Sequence, residues 1–201
     1  MEDFFGAKPS EFAQRSLALL KKEGVEDLLE LGCGQGRDTW LFARNGIRVY
    51  AMDYSNAGIC QMRDRAKEKA LSKLVTFKVR DARRGIPMPS ESFDAIYSHM
   101  FFTMEFLERE IGSIMQECLR VLKPGGLNIF SVRSENDPHY GKFDHIDEDM
   151  YQNPLGFVVH FFDVDKIDRL SVGYEVESIE EFEDTDPPFT KMLYGVVMRK
   201  P

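Results

Sequence analysis

Short apolar runs alternate with longer amphipathic segments over the first two thirds of the chain, and this order predicts strands alternating with helices. Apolar runs bounded by glycines or turn-forming residues predict strands at 25–31, 47–52, 74–79, 93–97 and 127–132. Between the second and third runs, apolar side chains recur at helical spacing, at Ile59, Met62, Ala66 and Ala70. Strands that alternate with helices in this way form a parallel sheet with helices on both faces.

The two ends of the chain extend this arrangement. Residues 1–24 contain a predicted N-terminal helix, for which Ser10 is the cap and Gly24 the first residue past the end. Two late strands, at 174–183 and 192–199, are joined by a turn at 186–188 and must therefore run antiparallel. We predict one α/β domain over residues 1–201, with a doubly wound, mostly parallel seven-stranded sheet, helices on both faces and a C-terminal antiparallel hairpin.

Residues 134–153 depart from the alternation, because they are polar and show no clear period. A connection of this length inside a compact domain is typical of a lid or binding loop, and we predict that it covers the substrate with Arg133, His139 and Tyr140. Its histidines and acids lack a recognised metal-ligand spacing, so we predict no metal site. Residues 155–162 are expected to be extended, and Asp163 to cap a short helix.

The charge and cysteine content narrow the possible classes of protein. The chain has 201 residues, with 26 Lys and Arg against 34 Asp and Glu, a net charge of −8. This balance disfavours nucleic-acid binding, which depends on Lys and Arg at phosphates. The three cysteines are odd in number and widely spaced, which indicates reduced thiols and a cytoplasmic protein. We find no run of roughly 20 apolar residues for a membrane helix, and no pattern that indicates an oligomeric state.

A glycine-rich loop at residues 32–36 follows the first predicted strand, and Asp53 ends the second strand 21 residues after Gly32. A carboxylate in that position can accept both ribose hydroxyls of a nucleoside. A dinucleotide site has the spacing G-x-G-x-x-G. Here the third glycine, Gly36, comes one residue early, and Asp38 in the first helical turn would repel a pyrophosphate. The loop therefore favours a nucleoside cofactor without phosphate.

On these residues the sequence resembles the class I S-adenosylmethionine-dependent methyltransferases. The first motif of that family, an acid followed by x-G-x-G-x-G, is matched by residues 30–36. The resemblance continues at Asp53, at Asp81, in the fourth-strand segment 92–97 and in the run 119–126, so that it covers about residues 25–132 in the family's order. The cofactor carries a sulfonium and an ammonium but no phosphate, which agrees with the acids around the loop.

The resemblance implies specific contacts to S-adenosylmethionine. The glycine loop would hold the methionine part, Asp53 the ribose hydroxyls, and Tyr54 and Asp81 would border the adenine. Ser98 and His99 would lie beside the donor methyl group. The full set of implied cofactor-binding residues is Glu30, Gly32, Cys33, Gly34, Gln35, Gly36, Asp38, Asp53, Tyr54, Ser55, Asp81, Ala82 and Ser98.

Methyl transfer from a sulfonium is an in-line displacement, to which an enzyme contributes mainly by positioning the reactants. A general base is needed only when the acceptor carries a proton of high pKa. The candidate catalytic residues are His99, His139 and Tyr140, of which His99 has the best placement. The apolar side chains of Phe101, Phe102, Met104 and Phe106 are interpreted either as an acceptor pocket or as ordinary core.

The acceptor is predicted to be a small molecule. The Asn/Asp-Pro-Pro-aromatic motif of amino-group methyltransferases is absent, because residues 98–101 read Ser-His-Met-Phe. The compact chain resembles the branch that includes the tellurite-resistance and thiopurine methyltransferases, and residues 159–162 resemble the former. Two alternatives remain: a nicotinamide-dependent oxidoreductase of the Rossmann type, and a non-catalytic regulatory protein that binds S-adenosylmethionine.

Overall fold

The alternating apolar runs form parallel strands, and helices connect them across both faces of the sheet. The computed structural model describes residues 8–68, 70–185 and 190–201. The first five strands are β1 (Asp27–Leu31), β2 (Arg48–Asp53), β3 (Val75–Val79), β4 (Phe93–His99) and β5 (Leu122–Ser134). The helices are α1 (Glu11–Lys22), α2 (Arg37–Arg44), α3 (Asn56–Glu68), α4 (Glu108–Val121) and α5 (Val164–Leu170), and a 3-10 turn covers Ala82–Arg84.

The order of the parallel strands is β3-β2-β1-β4-β5. The chain therefore winds outward from β1 in one direction and then, starting with β4, in the other. In such open sheets, ligands bind where the winding reverses, outside the carboxyl ends of the strands. The ends of β1, β2 and β4 define this edge, which we call the carboxyl edge.

Five further strands complete the sheet: β6 (Asp144–Asp147), β7 (Met150–Gln152), β8 (Val158–Phe162), β9 (Glu175–Asp184) and β10 (Lys191–Arg199). β10 pairs antiparallel with β5 on one side and with β9 on the other, which forms the C-terminal hairpin. Arg133 on β5 pairs with Leu193 of β10 and also with Phe161 of β8. Because β4 pairs with β5 only up to Ser131, β8 lies on the β4 side of β5 beyond the carboxyl end of β4.

The predicted fold class is confirmed, with corrections to individual elements. The described residues form ten strands where seven were predicted, because β6, β7 and β8 add to the sheet. The segment 134–153 was predicted to be irregular, but it contains the β6–β7 hairpin. All four residues of β6 are exposed, so no alternation of apolar and polar residues marks this strand in the sequence. The turn predicted at 186–188, and residues 1–7 of the N-terminal segment, lie outside the described residues.

The run Lys123–Gly126 lies within a strand and not in the predicted connection. It was expected to separate the fourth helix from the fifth strand, but β5 already begins at Leu122, which pairs with Phe93 of β4. The register between the two strands shifts before Ala95, so this run is accommodated as an irregularity within β5.

Two hydrophobic clusters pack on opposite faces of the sheet. α4 and α5 cover one face, where Ile111, Met115 and Ile167 meet side chains of β4 and β5. α1, α2 and α3 cover the other face, where the buried set includes Phe12, Phe42, Ile59, Met62 and Tyr97. The two layers hold the strand ends, and therefore the carboxyl edge, in a fixed arrangement.

Gly36 connects the glycine loop to α2. It is the N-cap residue, with φ of 83°. A Cβ at this position would lie 2.5 Å from Cε of Met62 and 3.0 Å from the ring of Trp40. Gly46, after α2, has a similar φ of 87° but no atom within 4 Å of an added Cβ.

This pair of glycines separates backbone strain from steric overlap. Gly46→Ala should lower the free energy of unfolding by about 1–2 kcal/mol, the cost of left-handed backbone for a residue with a Cβ. Gly36→Ala should lose about 1–3 kcal/mol more, because Met62 and Trp40 must shift in a packed core. Urea denaturation measures both values. Equal losses would contradict the close packing of Gly36.

Candidate active site

The glycine loop, residues 32–36, occupies the carboxyl edge between β1 and α2. Gly32, Gly34 and Gly36 all have positive φ, at 69°, 54° and 83°. A Cβ on Gly32 would lie 2.7 Å from the ring of Phe101, so the loop packs closely against the segment after β4. A Cβ on Gly34 would meet nothing within 4 Å. Gly34 is therefore the point at which a ligand can approach the backbone.

Asp53 links this loop to the next connection. It is the last residue of β2 and is 8% exposed. Its Oδ2 accepts a hydrogen bond from the Gly34 N–H at 2.8 Å, and its Oδ1 accepts one from the Ser55 N–H at 2.8 Å. Each carboxylate oxygen has further lone pairs, so Asp53 can accept two more donors, as a ribose diol requires.

Tyr54 and Ser55 follow directly. The Tyr54 side chain is 74% exposed, so its ring is available to border a bound base. The Ser55 hydroxyl accepts a hydrogen bond from the Gly58 N–H at 3.1 Å and caps the start of α3. Ser55 therefore contacts this region through its backbone, and its side chain has a structural role.

Glu30 and Cys33 are buried below the glycine loop, and Gln35 is half-buried beside α3. Glu30 is 3% exposed and accepts a hydrogen bond from the Thr39 hydroxyl at 2.5 Å; burial raises the pKa of its carboxyl well above the ordinary value. Burial also raises the pKa of the Cys33 thiol, which lies 3.6 Å from Sδ of Met62. Gln35 donates to Gln61 of α3 at 3.2 Å. These side chains support the loop from below, and the thiol is not activated as a nucleophile.

Asp38 carries a buried hydrogen-bond network. Its carboxylate accepts from the Ser10 N–H at 2.7 Å, from the Ser10 hydroxyl at 2.8 Å and from the Tyr97 hydroxyl at 2.8 Å. Ser10 is the N-cap of α1 and Tyr97 lies on β4. Asp38 thus fastens α1 to α2 and β4, a role that the sequence prediction of a cofactor contact did not include.

Asp81 and Ala82 follow β3 on the same edge. Asp81 accepts the Arg83 N–H at 3.0 Å and forms an ion pair with the Arg83 guanidinium at 2.8 Å. The hydrogen bond from the Arg83 side chain lowers the pKa of the Asp81 carboxyl, so it stays ionised. Ala82 is buried. Asp81 remains partly exposed and can accept from a ligand while it is paired with Arg83.

The end of β4 places Ser98 and His99 on opposite faces of the sheet, because strand side chains alternate. β1 pairs with β4 through Glu30 and Tyr97, so the end of β4 at His99 lies near the end of β1, where the glycine loop begins. His99 stacks on Phe12 of α1, with ring centroids 5.7 Å apart. Its Nδ1 lies 2.7 Å from the Ser131 hydroxyl of β5. Burial lowers the pKa of His99, which keeps the ring neutral.

Two polar atoms at this strand end have no hydrogen-bond partner among the residues that the structure describes: the Ser98 hydroxyl and Nε2 of His99. Leaving a buried polar atom unpaired costs about 1–3 kcal/mol. Met100, the next residue, has φ of 54°, a conformation that costs a residue with a Cβ about 1–2 kcal/mol. Unpaired groups and backbone strain of this kind concentrate at functional sites.

The predicted lid residues His139 and Tyr140 each lie beside an acidic side chain. The Arg133 guanidinium donates twice to Asp137, at 2.5 and 2.8 Å, and lies 3.1 Å from Nδ1 of His139. The Tyr140 hydroxyl donates to Asp149 at 3.2 Å, and burial raises the pKa of the phenol to about 12. The Arg133–Asp137 pair was not predicted.

A second unpredicted network surrounds Lys166, which is 1% exposed. Its ammonium donates to Asp149 at 2.5 Å, to the Phe161 carbonyl at 2.9 Å and to Nε2 of His160 at 3.0 Å. His160 also lies 2.7 Å from the Phe106 carbonyl through Nδ1. The network joins the β6–β7 hairpin, β8, α5 and the segment after β4, so it fixes the region above the carboxyl edge.

The aromatic residues after β4 divide between core and surface. Phe102 is 1% exposed and belongs to the core, whereas Met104 is 47% exposed. Phe101 packs between these extremes, with its ring centroid 5.1 Å from those of Phe102 and Phe106. Phe102 is therefore ordinary core, and the acceptor pocket stays a prediction for the other residues of the run.

No three His, Cys, Asp or Glu side chains within residues 8–68, 70–185 and 190–201 are grouped closely enough to hold a metal ion. Among the helices of the same ranges, none has both the length and the apolar character needed to cross a membrane.

Acidification should destabilise the fold through His160. Burial and the Lys166 charge lower the pKa of its imidazole from 6.5 to about 4 in the folded protein. Between these values the unfolded chain binds more protons, so the free energy of unfolding should fall with falling pH, by up to roughly 3 kcal/mol. Urea titrations should show a steeper fall for wild type than for His160→Gln. Identical slopes would contradict a neutral, buried His160.

Comparison with known proteins relates the chain to methyltransferases. Residues 28–126 match the sequence profile of a methyltransferase domain. A probable S-adenosylmethionine-dependent methyltransferase of Mycolicibacterium smegmatis is 32% identical over 110 residues, which cover 53% of this chain and 37% of that protein. The chain spans about a third of the length of the first curated relatives that it matches, 34% and 37%.

Solved structures share the fold. An S-adenosylmethionine-dependent methyltransferase of Methanosarcina mazei superposes with a TM-score of 0.77 at 23% identity, over 87% of this chain and 92% of that one. TehB of Haemophilus influenzae has a TM-score of 0.72 at 17% identity, over 94% of this chain and 62% of that one. Residues 28–126 therefore match a methyltransferase domain, and the chain shares the fold of S-adenosylmethionine-dependent methyltransferases of known structure.

Proposed function

We propose that this protein transfers a methyl group from S-adenosylmethionine to a small-molecule acceptor at the carboxyl edge. The observation that carries the proposal is the position of Asp53, whose carboxylate is fixed by Gly34 and Ser55 at 2.8 Å each, beside the open backbone of Gly34. A nucleoside whose ribose lies on Asp53 places its 5′ substituent along the glycine loop.

The chemistry of the loop supports a sulfonium cofactor over a dinucleotide. Glu30, Asp38 and Asp53 all lie at or below the loop, and a pyrophosphate there would meet negative charge instead of the free backbone donors it requires. The Gly34 N–H already donates a hydrogen bond to Asp53, so it is not available to a phosphate. A nicotinamide-dependent oxidoreductase is therefore not favoured.

The proposed cofactor contacts follow the edge from one side to the other. The backbone of residues 32–36 holds the methionine part, with Glu30, Cys33 and Gln35 supporting the loop. Asp53 accepts the ribose hydroxyls, Tyr54 borders the adenine face, and Asp81 with Ala82 faces the adenine amino group. Ser98 lies at the end of β4 beside the sulfur.

The reaction proposed is an in-line displacement in which the acceptor atom, the methyl carbon and the sulfur are aligned. His99, His139 and Tyr140 remain the candidate catalytic residues. With its pKa raised to about 12, Tyr140 stays protonated near neutral pH and is suited to donating a hydrogen bond. Catalysis then depends chiefly on positioning by the groups around the acceptor.

The acceptor is proposed to bind between the segment after β4 and the β6–β7 hairpin. Phe101 and Met104 offer apolar surface there, and His139 and Tyr140 offer polar groups. A net charge of −8 disfavours a nucleic-acid acceptor. The free thiols of Cys33, Cys60 and Cys118 support a reducing, cytoplasmic location.

Calorimetric titration should detect S-adenosylmethionine and its demethylated product, S-adenosylhomocysteine, at micromolar strength. Asp53→Ala should weaken binding more than tenfold, at least about 1.4 kcal/mol, because the ribose hydroxyls lose their acceptor. Asp64→Ala, which changes an exposed acid on α3, is the matched control and should bind as wild type.

Two results of the titration would contradict the proposed binding of S-adenosylmethionine. No heat with either compound, together with binding of NADH, would overturn the cofactor assignment. Unchanged affinity in a folded Asp53→Ala protein would remove Asp53 from the ribose site. Because this variant also loses a partner of Gly34, its fold is checked by circular dichroism, and Asp53→Asn is measured beside it.

Turnover is tested by presenting purified protein with thiol, amine, phenol and metalloid acceptors, with S-adenosylhomocysteine formation as the readout. We expect product with at least one of these small-molecule classes. Binding of the cofactor without product from any class would contradict the proposed transferase activity and would favour a regulatory protein.

A further inference from the structure

His99 and Ser131 form a hydrogen-bonded pair whose polarity can be deduced. The Met100 N–H is shared between the Ser131 carbonyl at 3.0 Å and the Ser131 hydroxyl oxygen at 3.1 Å, and this hydroxyl oxygen lies 2.7 Å from Nδ1 of His99. Ser131 is completely buried. Its hydroxyl hydrogen therefore needs a protein acceptor, and among the described residues that acceptor is Nδ1 of His99.

This assignment determines the tautomer of the ring. If Nδ1 carried the proton, the Ser131 oxygen would face two donors and its own hydrogen would be buried without an acceptor. With Ser131 as the donor, Nδ1 is the acceptor and a neutral His99 carries its proton on Nε2. Nε2 is the atom that is shielded from solvent and has no partner among the described residues.

The surroundings of His99 indicate which acceptor its Nε2–H group can bind. His99 ends β4, which pairs with β1 as far as Glu30 and Tyr97, so it lies near the loop proposed to hold the methionine part of the cofactor. The charged groups that act on the ring are Arg37, Lys191, Asp38 and Asp184, and the Asp38 carboxylate already accepts three hydrogen bonds from Ser10 and Tyr97. The oxygen acceptor that the cofactor would bring to this place is its carboxylate.

We propose that Ser131 is a positioning residue that holds His99 as an Nε2–H donor, and that this donor binds a carboxylate oxygen of the cofactor instead of acting as a general base. The proposal rests on the proposed cofactor. It also gives a reason for the unpaired Nε2, because a buried nitrogen without a partner in the free protein would gain one on binding.

The tautomer is measured directly by long-range proton–nitrogen NMR on protein labelled with nitrogen-15 in histidine. His99 should show a protonated Nε2 and an unprotonated Nδ1 in wild type. His160 is an internal reference with the opposite pattern, since its Nδ1 faces the Phe106 carbonyl and its Nε2 faces the Lys166 ammonium. In Ser131→Ala, His99 should lose its single tautomer. A proton on Nδ1 in wild type would overturn the proposal, whether or not the variant folds.

Binding identifies the ligand oxygen. His99→Ala should weaken S-adenosylhomocysteine about tenfold, and His99→Gln should weaken it less, because the side-chain amide restores an N–H near the position of Nε2. 5′-Methylthioadenosine keeps the nucleoside and sulfur but lacks the carboxylate, so its affinity should not change in His99→Ala.

The two ligands separate a failure of the His99–carboxylate contact from a failure of the proposed function. Equal weakening of both ligands, or none for S-adenosylhomocysteine, would overturn the carboxylate contact while the proposed function stands. Failure of the wild-type protein to bind either ligand would overturn the proposed function, and the tautomer measurement would still report on Ser131.

Discussion

The site depends on one carboxylate, that of Asp53, which accepts the backbone N–H groups of Gly34 and Ser55 at 2.8 Å each. These bonds tie the loop after β1 to the connection after β2, so the two turns cannot move independently. A loop with three residues at positive φ would otherwise have many conformations. The acid that is proposed to bind the ribose also shapes the backbone that would receive the rest of the cofactor.

Around this centre, several charged groups are buried in pairs or networks. Asp38 receives three hydrogen bonds from Ser10 and Tyr97, Arg133 is paired with Asp137, and Lys166 is paired with Asp149. Each arrangement joins elements distant in sequence, and removing one partner would leave a costly uncompensated charge. These networks hold α1 on one side of the carboxyl edge and the β6–β7 hairpin on the other.

The parts that sequence predicts are those with a local signal. Alternating apolar runs identify the five parallel strands, and the glycine loop with Asp53 at the second strand end places the cofactor edge. The parts it misses depend on partners far along the chain. No feature of the sequence marks Lys166 as a buried ammonium. The His99–Ser131 pair joins two different strands. Every residue of β6 is exposed, so this strand has no apolar pattern. The hydrogen bond between Asp38 and Ser10, 28 residues away, is likewise a tertiary contact without a local signal.

The central claim is that a nucleoside cofactor binds at the carboxyl edge with its ribose on Asp53. The most direct test is a crystal structure of the protein with S-adenosylhomocysteine. The account predicts both ribose hydroxyls within hydrogen-bond distance of the Asp53 carboxylate and the amino-acid part along Gly32–Gly34. A ligand bound elsewhere on the molecule, or one at this edge with its ribose away from Asp53, would contradict it.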